Sequence, residues 1–297
     1  MKKWLLMVCL FTLAGCQEGE PPTGPVPDDV PLQAEEGERR DTLMGELLES
    51  AAQGEHRSEE NRARNRYRNP VETMLFFGID ADMTVVEIWP GGGWYSEVLA
   101  PVLRESGRLI AAGFSKESEI DYHVRIATEF EQKLQAHPDI YDRVEVVPFD
   151  PPSLTRLGDP GTADMVLISR HFHNFIRNDI VEDVLSAAHE VLKDGGTLAV
   201  IQHRAQPDAA PESEQRTGYV RESHLIDLVT AAGFELQASS EINANPADSA
   251  DHPAGVWTLP PSLRYCSQVE EDQRAECEAK YRAIGESDRM TLKFSKR

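Results

Sequence analysis

Two short runs of this sequence concentrate side chains that can move protons and hold an acceptor: Arg170-His171-Phe172-His173-Asn174, and His203-Arg204. An imidazole near neutral pKa can take a proton from a hydroxyl, thiol or amine, and Arg or Asn can orient or neutralise the partner. His173 is the first choice as base, with Arg170, Asn174, His203 and Tyr219 around it. Tyr219 and Trp257 could wall a substrate pocket, or equally serve as core aromatics. In an extended segment His171 and His173 would point to opposite sides, so one at most would face a substrate. Each histidine is also readable as a hydrogen-bonded structural residue. Three of them, 171, 173 and 203, would suffice for a zinc site with an open position. No His-Glu-x-x-His helix or close carboxylate cluster accompanies them, and no metal is expected.

A third stretch, Glu87-Ile88-Trp89-Pro90-Gly91-Gly92-Gly93-Trp94-Tyr95, reads as a strand entering a glycine turn and then a helix. Free N–H groups at that helix start, with no side chains in the way, let a nucleotide-like ligand approach the backbone. The expected place for it is the carboxyl edge of a parallel sheet. A purely structural turn has the same local sequence.

These residues need a frame, and the periodicities supply one. Apolar runs at 83–88, 108–112, 144–149, 165–169 and 197–202 read as strands. They alternate with helical stripes at 95–103, 122–134, 176–191 and 225–232, the last closed by Gly233. Segments 234–239 and 290–294 read as a closing strand pair. Alternation of this kind predicts an α/β, doubly wound, Rossmann-like sheet. Both chemical runs then follow strands and face the crevice at the sheet's carboxyl edge. Between the last strands, 243–264 is rich in Pro, Asp and Asn, a long loop of the kind that is more often functional than idle. Segment 267–284 reads as a charged surface helix.

The chain has 297 residues with 40% hydrophobic, enough for a substantial core. Its formal charge of -21 argues against nucleic-acid backbones and anionic bilayers, which need a dense positive surface. No Gly-x-Ser-x-Gly elbow and no phosphate loop ending in Gly-Lys-Ser/Thr is present, so common hydrolase and ATPase readings lack an anchor.

The glycine stretch resembles the loop of class I S-adenosylmethionine-dependent methyltransferases, and more closely that of a bacterial group of predicted methyltransferases. The likeness extends to Arg68-Asn69-Pro70, the 170–174 and 203–205 runs, Asn245-Pro246 and Trp257-Thr258-Leu259-Pro260-Pro261-Ser262-Leu263-Arg264. It implies a seven-stranded sheet whose last two strands are the antiparallel pair, with S-adenosylmethionine as cofactor and a small-molecule substrate. It also implies that Glu87, Gly91, Gly92, Gly93 and Tyr95 frame the methionine moiety, and that Phe149 and Asp150 lie by the adenine. Two departures stand out. Gly113 occupies the place of the acidic residue that grips the ribose, so that contact is absent or comes from another residue such as Ser115 or Glu117, and Trp89 replaces the first glycine of the loop.

The amino terminus bears on compartment. Met1-Lys2-Lys3 precedes an apolar run, 4–13, too short to span a bilayer, closed by Leu13-Ala14-Gly15-Cys16. This resembles the lipobox of bacterial lipoproteins and implies a signal peptide over 1–15 and lipid on Cys16. Gln17 favours the outer membrane, facing the periplasm. Residues 16–40 have few large apolar side chains and read as a flexible tether, 41–57 as a leading helix, and 58–297 as the methyltransferase-like domain. Two cysteines then remain, Cys266 and Cys277, and a disulfide between them is allowed in an oxidising compartment. S-adenosylmethionine is made in the cytosol, so an exported chain could instead be a non-catalytic, lipid-anchored binding or assembly protein that keeps the fold.

Overall fold

The structure, a computed structural model, describes residues 29–297; the expected signal peptide and Cys16 lie outside them. The chain divides at Arg39/Arg40 into two units, and the second, Arg40–Arg297, holds the sheet. A helix spans Asp29–Gln53, beginning inside the stretch expected to be a tether. Its Glu, Gln, Leu and Arg residues are good helix formers.

Seven strands form one sheet: β1 (Thr84–Ile88), β2 (Arg108–Gly113), β3 (Glu145–Pro148), β4 (Ala163–Ser169), β5 (Leu192–His203), β6 (Phe234–Ser240) and β7 (Arg289–Lys296). Their order is β3-β2-β1-β4-β5-β7-β6, with β7 antiparallel to both neighbours. This is the doubly wound, Rossmann-like class I methyltransferase topology expected from the alternating periodicities. Side chains alternate across each strand, so Val85, Leu109, Met165 and Leu167 pack on one face with Leu99 and Phe77. Val86, Ile110, Val166 and Ile168 pack on the other with Val184 and Val229. Strands buried on both faces read as unbroken apolar runs, which is why they were visible.

Two elements differ from expectation. The strand expected over 197–202 begins earlier, at Leu192, with an irregularity: Ala163 pairs with Leu192 while Met165 pairs with Thr197. The helix expected over 176–191 is two helices, Phe172–Asn178 and Val181–Val191. Asp179 turns left-handed at φ 56°, and the Ile180 N–H closes on the Phe175 carbonyl at 3.0 Å, a helix-ending pattern.

The chain winds outward from β1 to β3 and then back to β4, so β1 and β4 flank the switch point where such sheets open a crevice. Both strands end in a left-handed non-glycine residue, Trp89 at φ 52° and Arg170 at φ 64°. Each is pinned to the neighbouring strand: Trp89 N–H donates to the Ala112 carbonyl and Arg170 N–H to the Ile201 carbonyl, both at 2.7 Å. Two buried carboxylates tie the segments before β1 to this frame. Glu97 takes Arg57 and Lys133, and Glu286 takes Arg64, Arg68 and Arg289. Cys266 and Cys277 form a disulfide with Cα atoms 5.6 Å apart, inside a small cluster with Leu259, Leu263 and Tyr281.

Candidate functional site

A cavity of about 1070 Å³ opens at the carboxyl edge of β1 and β4. Arg170, His171, His173, Asn174 and His203 all line it, as do Gly91 and Asp150. The 243–264 segment forms much of its outer wall through Val256, Trp257, Leu259 and Arg264, as its length and composition suggested. Because the chain turns helical at Phe172, His171 and His173 both reach the cavity; the extended geometry that would have separated them does not occur.

Hydrogen bonds fix what two of the imidazoles can do. The Gln202 amide is oriented by its surroundings: Oε1 accepts from Phe172 N–H at 3.1 Å and Nε2 donates to the Gly218 carbonyl at 2.9 Å. Its second N–H therefore donates to His173 Nδ1 at 3.2 Å, and the ring proton of neutral His173 sits on Nε2. Likewise Asn174 Oδ1 accepts from Arg177 at 2.6 Å, so Asn174 Nδ2 donates to His171 Nδ1 at 3.2 Å. His171 also bonds the Trp89 backbone, which makes it a clamp between the ends of β1 and β4. His173, expected as a base, is held as a hydrogen-bond donor. His203, 2.5 Å from Ser287 Oγ, has no amide dictating its tautomer and can offer a lone pair.

Burial keeps all three neutral at physiological pH. It is the largest influence in each case, pushing His171 down to about 3, His173 down to about 4, and His203 well below its usual value; Arg170 lowers all three further. Arg170 itself is brought down to about 10, again chiefly by burial, and stays charged.

Tyr219 does not line the cavity. Its hydroxyl donates to Asp248 at 2.9 Å, and Asp248 also accepts from His252 and from the Ala250 and Asp288 N–H groups. Tyr219 thus pins the long loop from beneath. Arg204, next to His203 on an alternating strand, points the other way into Glu241, Glu222 and Asp288.

On the cofactor side, Gly91 lines the cavity with open space where a side chain would stand, and Gly92 is equally open. Gly93, at φ 76°, lies against Phe130, where even a Cβ would crowd the ring at 3.0 Å. Glu87 is buried, accepting from Ser96 Oγ at 2.6 Å, and its burial raises the carboxyl to about 7. Tyr95 and the Phe149 ring belong to the core. Asp150 faces His123, whose Nδ1 lies 3.3 Å from Oδ2 and whose ring stacks flat on Phe114 at 3.8 Å. His123 escaped the sequence reading because its partner is 27 residues away and its neighbours show no motif.

Trp89 divides the crevice. Its indole N–H donates to the Phe149 carbonyl at 3.0 Å, and its ring packs on Phe114 and Phe175 at 4.7 and 4.9 Å. Beyond it lies a second cavity of about 450 Å³, sharing Trp89, Gly91, Phe114 and Ile126 with the first and walled by Gly113, Ser115 and Glu117. The open glycine backbone and the Asp150 carboxylate fit the two ends of a nucleoside-bearing amino acid. Gly113 brings no carboxylate to the second cavity's wall, on which Glu117 stands.

Neither a protein-family model nor a curated protein matches the chain. Among solved structures it is similar to the [4+2]-cyclase SpnF, at 14% identity over 88% of this chain and 94% of that one, with a TM-score of 0.54. A protein assigned as a sarcosine dimethylglycine methyltransferase from Galdieria sulphuraria aligns at 12% identity over 77% and 87%, with a TM-score of 0.51. The chain shares their fold. A SAM-dependent methyltransferase from Aquifex aeolicus aligns at 20% identity over 61% and 87%, but its TM-score of 0.49 adds no weight. Among the described residues no helix is long and apolar enough to cross a membrane, and no cluster of metal-ligating side chains converges.

Proposed function

We propose that this protein is an S-adenosylmethionine-dependent methyltransferase acting on a small molecule in the bacterial cell envelope, held by lipid on Cys16. The observation that carries the reading is the large cavity at the β1/β4 switch point, with the open Gly91 backbone on one side and Arg170, His173 and His203 on the other. Gly91 to Gly93 would hold the methionine end of the cofactor and Asp150 the adenine side, with Glu117 on the adjoining wall in place of the missing ribose carboxylate. When bound, the cofactor would supply an electrophilic methyl group. The chain's part is to seat and orient the acceptor: His173 Nε2–H and Arg170 donate to it, and His203 accepts its proton where one must leave. Trp257, edge-on to His173 at 5.7 Å, and the loop it sits on exclude water.

The Cys266–Cys277 bridge supports export, since such bonds persist in oxidising compartments. Calorimetry on the full-length protein tests the first step. Saturable binding of S-adenosylmethionine or its demethylated product is expected, and no heat at millimolar concentration would sink the proposal.

A second reading, a non-catalytic ligand-binding or assembly protein, is favoured by one observation: the Trp89 indole fills crevice space at the position of a loop glycine. A fold shared with a cyclase also does not specify methyl transfer. Turnover that disappears in Asp150→Ala while the fold survives would reject this reading.

A further inference from the structure

We propose that the acceptor seated in the large cavity is a small carboxylate with an apolar, flat body, and that Arg170 is the residue that selects it. This deepens the methyltransferase reading and rests on its assignment of that cavity to the acceptor.

The charge balance of the cavity runs against that of the whole chain. The protein carries -21, yet Arg170, Arg177, Arg216 and Arg264 line this cavity against only two carboxylates, Asp150 and Glu286. Glu286, whose charge favours the Arg170 cation, is shared with other arginines. Glu286 already engages Arg64, Arg68 and Arg289, and Asp150 faces His123.

Of the four arginines lining the cavity Arg170 is the least exposed, and among the described residues it forms no direct ion pair. Its Nε is sealed from solvent with no acceptor, and it takes part in none of the ion pairs that hold the chain's buried arginines. A half-buried guanidinium with a sealed, unpaired Nε and no ion pair is costly unless an anion completes it. The left-handed backbone at Arg170 is the kind of strain that persists where the position serves a site. One planar fork matches one flat anion, a carboxylate, more closely than the tetrahedral dianion of a phosphate ester. The neighbouring donor, His173 Nε2–H, is neutral and adds a hydrogen bond without a second charge. The remaining walls ask for an apolar body: Trp89, Phe114, Val256 and Trp257. Arg216 and Arg264 are exposed at the mouth and steer anions inward, Arg264 lying over the Trp257 ring at 5.2 Å.

The test is equilibrium binding to the full-length protein of benzoate, phenylacetate and indole-3-acetate, each beside its uncharged amide, with phenyl phosphate as a further probe. At least one acid is expected to bind at least tenfold more tightly than its amide. Arg170→Gln should erase that preference, and Arg170→Lys should keep part of it. The exposed pair Arg216→Gln/Arg264→Gln, which leaves the interior untouched, should weaken the acid two- to fivefold and flatten its salt dependence. The proposal is overturned if no acid binds, if amides bind as well, if phenyl phosphate outcompetes every acid, or if Arg170→Gln keeps the preference. Should Arg170→Gln not fold, wild-type affinity in both Arg170→Lys and the mouth variant overturns it as well. Binding of the demethylated cofactor, measured in parallel, separates the two proposals: acids that bind without it leave this inference standing while the methyltransferase reading falls.

Discussion

Replacing Trp89 tests how the crevice is built. Its side chain is 5% exposed, and truncating a buried aromatic costs roughly 3–5 kcal/mol. The lost indole N–H bond to the Phe149 carbonyl adds about 1 kcal/mol. The backbone works the other way. At φ 52° a residue with a Cβ is strained by about 1–2 kcal/mol, and glycine relieves it. Trp89→Gly should therefore lose about 2–5 kcal/mol net, equivalent to roughly 4–20 °C in Tm for a domain of this size. Trp89→Ala keeps the strain and loses the same packing, so it should be about 1 kcal/mol less stable than Trp89→Gly, reversing the usual penalty for glycine. Urea unfolding followed by far-ultraviolet circular dichroism reads both. Trp89→Ala equal to or more stable than Trp89→Gly, or Trp89→Gly within 1 kcal/mol of wild type, would refute the reasoning.

Other perturbations follow from buried charges and from the disulfide. Burial raises Glu87 to about 7 from an ordinary 4.5, so between those pH values the native state holds a proton that the unfolded chain has released. Its contribution is full below pH 4.5 and is lost as pH rises through 7, on the order of 3 kcal/mol. Glu87→Gln should therefore match wild type near pH 4.5 and exceed it by about 2–3 kcal/mol at pH 8 in urea melts, for which burial in a fully desolvated site is the cause. Glu286→Gln leaves Arg68 and Arg289 buried without their carboxylate and should cost about 3–5 kcal/mol, whereas Glu278→Gln, from an exposed pair with Arg282, should cost under about 0.5 kcal/mol. Replacing Cys266 and Cys277 together by Ser opens an 11-residue separation and should cost about 3 kcal/mol, read as a lower urea midpoint.

What was legible in the sequence was what is written locally. Central strands such as Thr84–Ile88 and Ala163–Ser169 announce themselves because both faces are buried, and the glycine turn announces itself because few other residues can make it. The closing strand pair and the position of the two chemical runs at the sheet edge followed from that pattern. The roles within the site were hidden because each depends on a distant partner. Tyr219 becomes a loop pin through Asp248, 29 residues on. His173 becomes a donor through Gln202, also 29 residues away, whose own amide is set by Phe172 and Gly218. The split at Asp179 was masked by the apolar stripe that continues across it, since the stripe reports burial and a single left-handed residue leaves burial unchanged.

Those hidden hydrogen bonds decide what pH dependence the cavity can have. If its positive potential came from imidazolium, anion affinity would rise about tenfold per unit as pH fell through 6.5. The three histidines near Arg170 titrate far lower, His171 at about 3 and His173 at about 4, and His203 also lies well below 6.5. Their depressed values mean that the unfolded chain binds more protons than the native one below pH 6.5, so stability falls as pH drops from there toward 3. Across the cavity His123 already faces Asp150, and Glu286 is held by three arginines. The charge that meets an entering anion is thus guanidinium, which keeps its proton throughout. Affinity for the tightest of the carboxylate probes should vary less than threefold between pH 6 and 8. It should weaken in acid only as the probe itself is protonated. A tenfold tightening between pH 8 and 6.5 would place the positive charge on histidine and remove Arg170 from the role assigned to it.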